Sequence, residues 1–164
     1  MKIIIVTNQA LKEELLAQDC RKDVELIFTE KIDDFFTHSD ASGFIDLVFD
    51  GSDNRRSLLE NLSTAPVIVN HVGGSIKSTS LVCINGWPTF LKREMVEAYG
   101  PVERRLQAEN ILSAFNKKVE WLNEKHCFIS ARIVSAIINE AYFVLEENVS
   151  TKEEIDTAMK LGTN

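Results

Sequence analysis

The sequence predicts a two-part α/β chain, a parallel sheet with helices packed on it followed by an all-helical end. Three observations carry this. A five-residue apolar, β-branched run opens the chain, and similar short runs recur between helical stripes as far as about residue 99. The pattern breaks at Gly100-Pro101. The closing residues then carry apolar side chains at the three-and-four spacing of amphipathic helices.

Taken in order, Lys2–Val6 is continuous and apolar, which suits a strand buried on both faces of a parallel sheet. Leu11, Leu15 and Leu16 follow at helical spacing, and Val24, Leu26 and Phe28 alternate as a second strand. Only the small apolar cluster at residues 32–36 separates this strand from the next, so one crossover is abbreviated. Residues 45–49 form a third strand, followed by a polar loop and a helix bearing Leu58, Leu59 and Leu62. Residues 66–69 give a fourth strand, Leu81–Ile84 a fifth and residues 94–98 a sixth. Strands alternating with helices imply right-handed crossovers within a parallel sheet. Pro101 suits the first turn of a helix whose stripe is Ala108, Ile111, Leu112 and Phe115, and residues 119–122 make a last strand.

Residues 1–125 therefore read as a reduced Rossmann-like domain and residues 126–164 as a helical domain. In the latter, Ile133/Val134, Ile137/Ile138, Ala141/Tyr142 and Val144/Leu145 line one broad face. Ser150 and Glu153 have capping-box spacing, Ile155, Ala158 and Met159 turn inward, and Gly162 stands at a left-handed C-cap position.

Composition narrows the function classes. With 45% hydrophobic residues and 26% charged, the chain has the make-up of a globular protein. A net charge of −7 argues against nucleic acid, whose phosphates need clustered Lys and Arg. No stretch reaches the roughly 20 apolar residues of a membrane span, and the N-terminal apolar run is too short for a signal peptide. Cys20, Cys83 and Cys127 are widely spaced and lack metal-ligand pairing, so reduced thiols, no metal and a cytoplasmic location are expected.

The string from Ala131 onward is more specific. Arg132, the triplet Asn139-Glu140-Ala141, the run Leu145-Glu146-Glu147, and Glu154-Ile155-Asp156 leading into Ala158-Met159-Lys160-Leu161-Gly162 resemble the C-terminal signature of the 3-hydroxyacyl-CoA dehydrogenase family, especially its bacterial 3-hydroxybutyryl-CoA members. The resemblance implies an NAD-binding Rossmann domain, a His–Glu catalytic dyad twelve residues apart, and a helical domain that pairs with a second copy. A homodimer through the C-terminal helices is therefore expected, since the face at residues 133–145 needs cover.

The family's site residues are only partly matched. A dinucleotide fold needs a Gly-rich turn after its first strand, so that backbone and helix N-terminus can approach the pyrophosphate. Here Val6 is followed by Thr7-Asn8-Gln9-Ala10, and the first glycine is Gly43. Asn8 and Gln9 occupy the cofactor turn, and Glu30 stands where ribose hydroxyls would be held or where a solvated charge would sit. Glu97, in a Met-Val-Glu context, matches the dyad carboxylate; twelve residues before it stands Asn85, not histidine. Asn cannot titrate near neutral pH, so it cannot serve as general base. Ser75, in the loop Asn70-His71-Val72-Gly73-Gly74-Ser75, is the candidate for the family's substrate-binding serine. Ala131 replaces a substrate-binding asparagine.

His71 is a candidate acid–base group on the loop after the fourth strand, whereas His38 and His126 are scattered background. Trp87 and Trp121 read as core or interface, and the pairs Arg55-Arg56 and Lys117-Lys118 as solvated surface. Three functions fit. The first is a degenerate family member without cofactor or hydride transfer, binding an acyl-CoA-like ligand or a partner. The second is a working NAD-dependent 3-hydroxyacyl-CoA dehydrogenase of fatty-acid metabolism with an atypical site, and the third a different enzyme using Glu97 and His71.

Overall fold

The structure, a computed structural model, describes residues 1–62, 65–73, 76, 78–123 and 128–162. The chain forms two units, Met1–Phe128 and Ile129–Asn164.

The first unit is built on a seven-stranded sheet: β1 (Lys2–Val6), β2 (Glu25–Thr29), β3 (Gly43–Asp46), β4 (Val67–Asn70), β5 (Leu81–Ile84), β6 (Met95–Tyr99) and β7 (Lys118–Trp121), in the order β2-β1-β3-β4-β5-β6-β7. It is Rossmann-like. The first five strands pair in parallel. β1 is flanked by β2 on one side and β3 on the other, so the chain reverses its direction of travel across the sheet at β1. Ile3, Ile4, Ile5 and Val6 are fully buried, which is why the opening run carries no polar alternation.

The sixth strand departs from an all-parallel sheet. β6 pairs antiparallel to β5, Cys83 opposite Tyr99 and Ile84 opposite Ala98, and β7 then runs parallel to β6. The reason is the connection: the segment from Gly86 to Glu94 stays at the edge where β5 ends and has no crossover helix, only the short 3-10 turn Phe90–Lys92. The connection between β2 and β3 is short as expected, a 3-10 turn at Ile32–Thr37 that buries Phe35.

The helices of this unit are α1 (Gln9–Leu15), α2 (Asp53–Glu60) and α3 (Val102–Ser113). Ala108, Ile111, Leu112 and Phe115 are all buried, and Ile111 lies so close to Gly43 that a side chain there would overlap it, at 2.1 Å. β3 begins two residues before the expected position and ends at Asp46. There the carboxylate accepts from the Val48 N–H at 3.1 Å and turns the chain.

The second unit contains α4 (Ile129–Glu146) and α5 (Lys152–Gly162). α4 ends in a Schellman turn: Asn148 is left-handed at φ 55°, Val149 N–H donates to the Val144 carbonyl at 3.1 Å, and Asn148 N–H to Leu145 at 3.2 Å. The capping box sits one residue later than its sequence spacing suggests. Thr151 Oγ1 accepts from the Glu154 N–H at 3.3 Å, and Glu154 accepts from the Thr151 N–H at 3.0 Å and from the Ser150 hydroxyl at 2.9 Å. Gly162 is the last helical residue and does not adopt positive φ, so it is not a left-handed cap. No helix among the described residues is long and apolar enough to cross a membrane.

Candidate functional site

The ends of β1, β3, β4 and β5 converge at the carboxyl edge of the sheet around a cleft of about 510 Å³. Ligand sites of open α/β sheets form at such a switch point because adjacent connections leave on opposite faces and part. Asn8 and Glu14 line it from α1, Phe49 and Asp50 from beyond β3, His71 from beyond β4, and Trp87 from beyond β5.

Beneath the cleft, Asn70 ties three strand ends together. Its amide donates to the carbonyls of Leu47 at 3.1 Å and Gly86 at 3.2 Å, and its oxygen accepts from the Gly86 N–H at 2.9 Å. A Cβ on Gly86 would lie 2.6 Å from the Asn70 Cγ, so glycine is required for this clasp. Above it, the segment after β5 is fastened to α1. Thr89, at a left-handed φ of 77°, donates its N–H to both carboxylate oxygens of Glu14, at 2.8 and 2.9 Å. Gln18 donates to the Lys92 carbonyl at 2.9 Å.

The two residues at dyad spacing meet. Asn85, 2% exposed, donates from Nδ2 to Glu97 Oε2 at 3.0 Å, while its Oδ1 accepts from the Trp87 N–H at 3.2 Å. The backbones are paired as well, Asn85 N–H to the Glu97 carbonyl at 3.0 Å. The antiparallel β5–β6 pairing creates this meeting. Both ends of the Asn85 amide thus serve internal bonds that orient the Trp87 backbone.

The other candidate residues each have a separate local setting. Asn8 does not stand in a glycine-like turn but is the N-cap of α1, its Oδ1 accepting from the Leu11 N–H at 2.9 Å. Gln9 is exposed and bonded to Glu13 at 2.7 Å. Glu30 is exposed beyond the end of β2 and lies outside the cleft lining. Ala131 is buried on α4, in the helical unit. Ser75 and His126 lie outside the described residues. His71 does line the cleft, its ring edge-on to Phe49 at 5.6 Å, and burial pushes its pKa down, which favours the neutral imidazole.

Two surface expectations and one core expectation need correction. Arg55 makes a bidentate pair with fully buried Asp46, Nε to Oδ2 at 2.7 Å and Nη2 to Oδ1 at 2.9 Å. Burial pushes the Asp46 carboxyl up, against the pull of Arg55. Lys117 is also buried, its ammonium donating to the carbonyls of Leu91 at 2.5 Å and Arg93 at 2.9 Å. Trp87 is half-exposed in the cleft wall and not core, whereas Trp121 lies on the last strand, its indole donating to Glu109 at 2.5 Å. Asn70, Glu14 and the Asp46–Arg55 pair left no motif in the sequence, because their partners are 9 to 75 residues away.

Residues 128–164 match the family model of the 3-hydroxyacyl-CoA dehydrogenase C-terminal domain. The chain is 25% identical over 150 residues to a 3-hydroxybutyryl-CoA dehydrogenase of Clostridioides difficile, covering 87% of this chain and 51% of that protein. It therefore spans about half the length of the curated relative it matches. Among solved structures, the (S)-3-hydroxybutyryl-CoA dehydrogenase of Ralstonia eutropha superimposes with a TM-score of 0.73 at 15% identity, over 99% of this chain and 77% of that one. The 3-hydroxybutyryl-CoA dehydrogenase of Escherichia coli K12 gives 0.71 at 15% identity, over 98% and 46%. At such identities the structural likeness is one of fold.

Proposed function

The chain is a member of the 3-hydroxyacyl-CoA dehydrogenase-like family, and on that premise we propose that it is a binding protein that no longer transfers hydride. The observation that carries the reading is the Asn85–Glu97 pair: dyad spacing with an amide in place of an imidazole, fixed at both ends. An amide neither accepts the proton of a substrate hydroxyl at neutral pH nor returns it, and a positioned general base typically contributes about 10²–10⁴ in rate.

The nicotinamide cofactor that the family implies does not fit the residues present. Asn8 and Gln9 put side chains at the turn where backbone must meet a pyrophosphate, and Asn8 itself takes up the Leu11 N–H at the helix start. Ser75 is the candidate at the family's substrate serine and Ala131 lacks the family's asparagine, so this reading carries an acyl-CoA-like ligand or a partner, and the alternative is a working NAD-dependent 3-hydroxyacyl-CoA dehydrogenase with an atypical site. Cys20 and Cys83, neither of them in a disulfide, fit a reducing, cytoplasmic setting.

A homodimer through the helical unit belongs to the same reading. Ile133, Ile138, Tyr142 and Phe143 of α4 are exposed, an apolar density that supports pairing with a second copy.

The experiment is a turnover assay with acetoacetyl-CoA and NADH, and in reverse with 3-hydroxybutyryl-CoA and NAD. No turnover above background is expected, and Asn85→His alone will not restore it, because the β1–α1 turn is separately altered. Wild-type turnover that disappears in Glu97→Gln would establish the working-dehydrogenase alternative instead.

A further inference from the structure

The cleft at the sheet edge encloses about 510 Å³, within the range of small-molecule sites. Its charge is unusual for a place where a pyrophosphate would sit. Among the described residues the lining holds two carboxylates, Glu14 and Asp50, and neither Lys nor Arg. The Ser52 N–H donates to Asp50 at 2.9 Å and holds that carboxyl below the ordinary range, so it is ionised. Burial pushes the His71 pKa down, away from the charged form that would offset the two negative charges.

Four described cations on the surrounding elements are engaged elsewhere. Lys12 lies over the Phe28 ring at 4.4 Å and Arg93 over Phe90 at 4.5 Å. Arg55 is held by Asp46, and Lys117 by two backbone carbonyls. One of the N–H donors at the start of α1 is used internally, since Asn8 takes the Leu11 N–H. Phe49 and Trp87 add aromatic surface, whose faces attract cations and repel anions.

We infer that this cleft takes a small organic cation, an ammonium group held by Glu14 and Asp50 on an aromatic or apolar body that lies against Phe49 and Trp87. The inference rests on the reading that the cleft no longer receives a dinucleotide. Clefts lined by one sign of charge focus the field and concentrate ligands of the opposite sign.

The test is calorimetric titration of the intact chain with three probes of similar shape, benzylammonium, benzyl alcohol and benzoate, with NAD as a fourth. Benzylammonium should bind about tenfold or more tightly than benzyl alcohol, a difference of about 1.4 kcal/mol, and benzoate should be weakest. The Trp87 indole N–H resonance should shift with benzylammonium. Glu14→Gln, whose side-chain carbonyl can still accept from Thr89, and Asp50→Asn should each weaken benzylammonium roughly fivefold while leaving benzyl alcohol unchanged. Benzoate binding as tightly as benzylammonium overturns the inference, and so do three indistinguishable probes, including binding by none. Micromolar NAD binding removes the underlying reading as well. If NAD does not bind and the probes are indistinguishable, only the cation inference fails.

Discussion

Asp46 sits fully buried at the end of β3, and its charge is tolerable only because the Arg55 guanidinium grips both oxygens. Burial nevertheless dominates and raises the carboxyl's pKa above its ordinary value. The sign follows from linkage. A group whose folded pKa is raised favours the folded state most when protonated, and that contribution is lost as pH rises through the folded pKa. Arg55→Met removes the opposing pull and leaves a buried carboxylate without its partner. We expect it to cost about 3 kcal/mol near neutral pH, with the deficit shrinking as the solution is acidified through the Asp46 pKa. Urea midpoints of wild type and variant at neutral and mildly acidic pH check this. A deficit independent of pH would mean that Arg55 contributes by packing alone. The neighbouring Asn70 clasp illustrates the complementary rule for neutral groups: both functions of the amide are bonded and glycine is needed opposite, so the two positions are coupled.

Among the elements, α4 ends because of one residue's conformation. Asn148 takes the left-handed region at φ 55°, where asparagine is tolerated and β-branched residues are not. Asn148→Val should cost about 1 kcal/mol and loosen the turn between α4 and α5, whereas Asn148→Gly should be nearly neutral. Faster amide exchange at Val149, whose N–H closes the turn, reports the effect. Unchanged exchange in the valine variant would mean that packing sets the helix end. The segment between β5 and β6 behaves differently. Thr89 is β-branched and left-handed, so its conformation is imposed by the bonds from Glu14 and by Lys117 beneath the following turn. Those bonds also set where Trp87 stands in the cleft wall.

For the whole molecule the decisive property is assembly. The helical unit leaves Ile133, Ile138, Tyr142 and Phe143 exposed, and large apolar side chains exposed together on one helix commonly mark an interface. Light scattering at micromolar concentration should give the mass of a dimer, and Ile138→Asp with Tyr142→Asp should release monomer. A wild-type monomer would rule out the helical interface, and a dimeric double variant that keeps wild-type helical circular dichroism would place the interface elsewhere.

What the sequence alone determined was local. Continuous apolar strands, three-and-four helical stripes and the C-terminal string are written in neighbouring residues, so the α/β class, the Rossmann-like sheet and the C-terminal likeness to 3-hydroxyacyl-CoA dehydrogenases were all legible in the sequence. The twelve-residue spacing of Asn85 and Glu97 was legible too, as was the absence of glycine after β1. The tertiary structure decided the rest. It turned β6 antiparallel, set half-buried Arg55 on the buried Asp46, drew Lys117 into the interior, brought Glu14 to Thr89, and moved the capping box by one residue. Most of these outcomes depend on partners far apart in the chain. The charge of a residue is local, but its burial, and hence its energy, is set by whatever the fold packs against it.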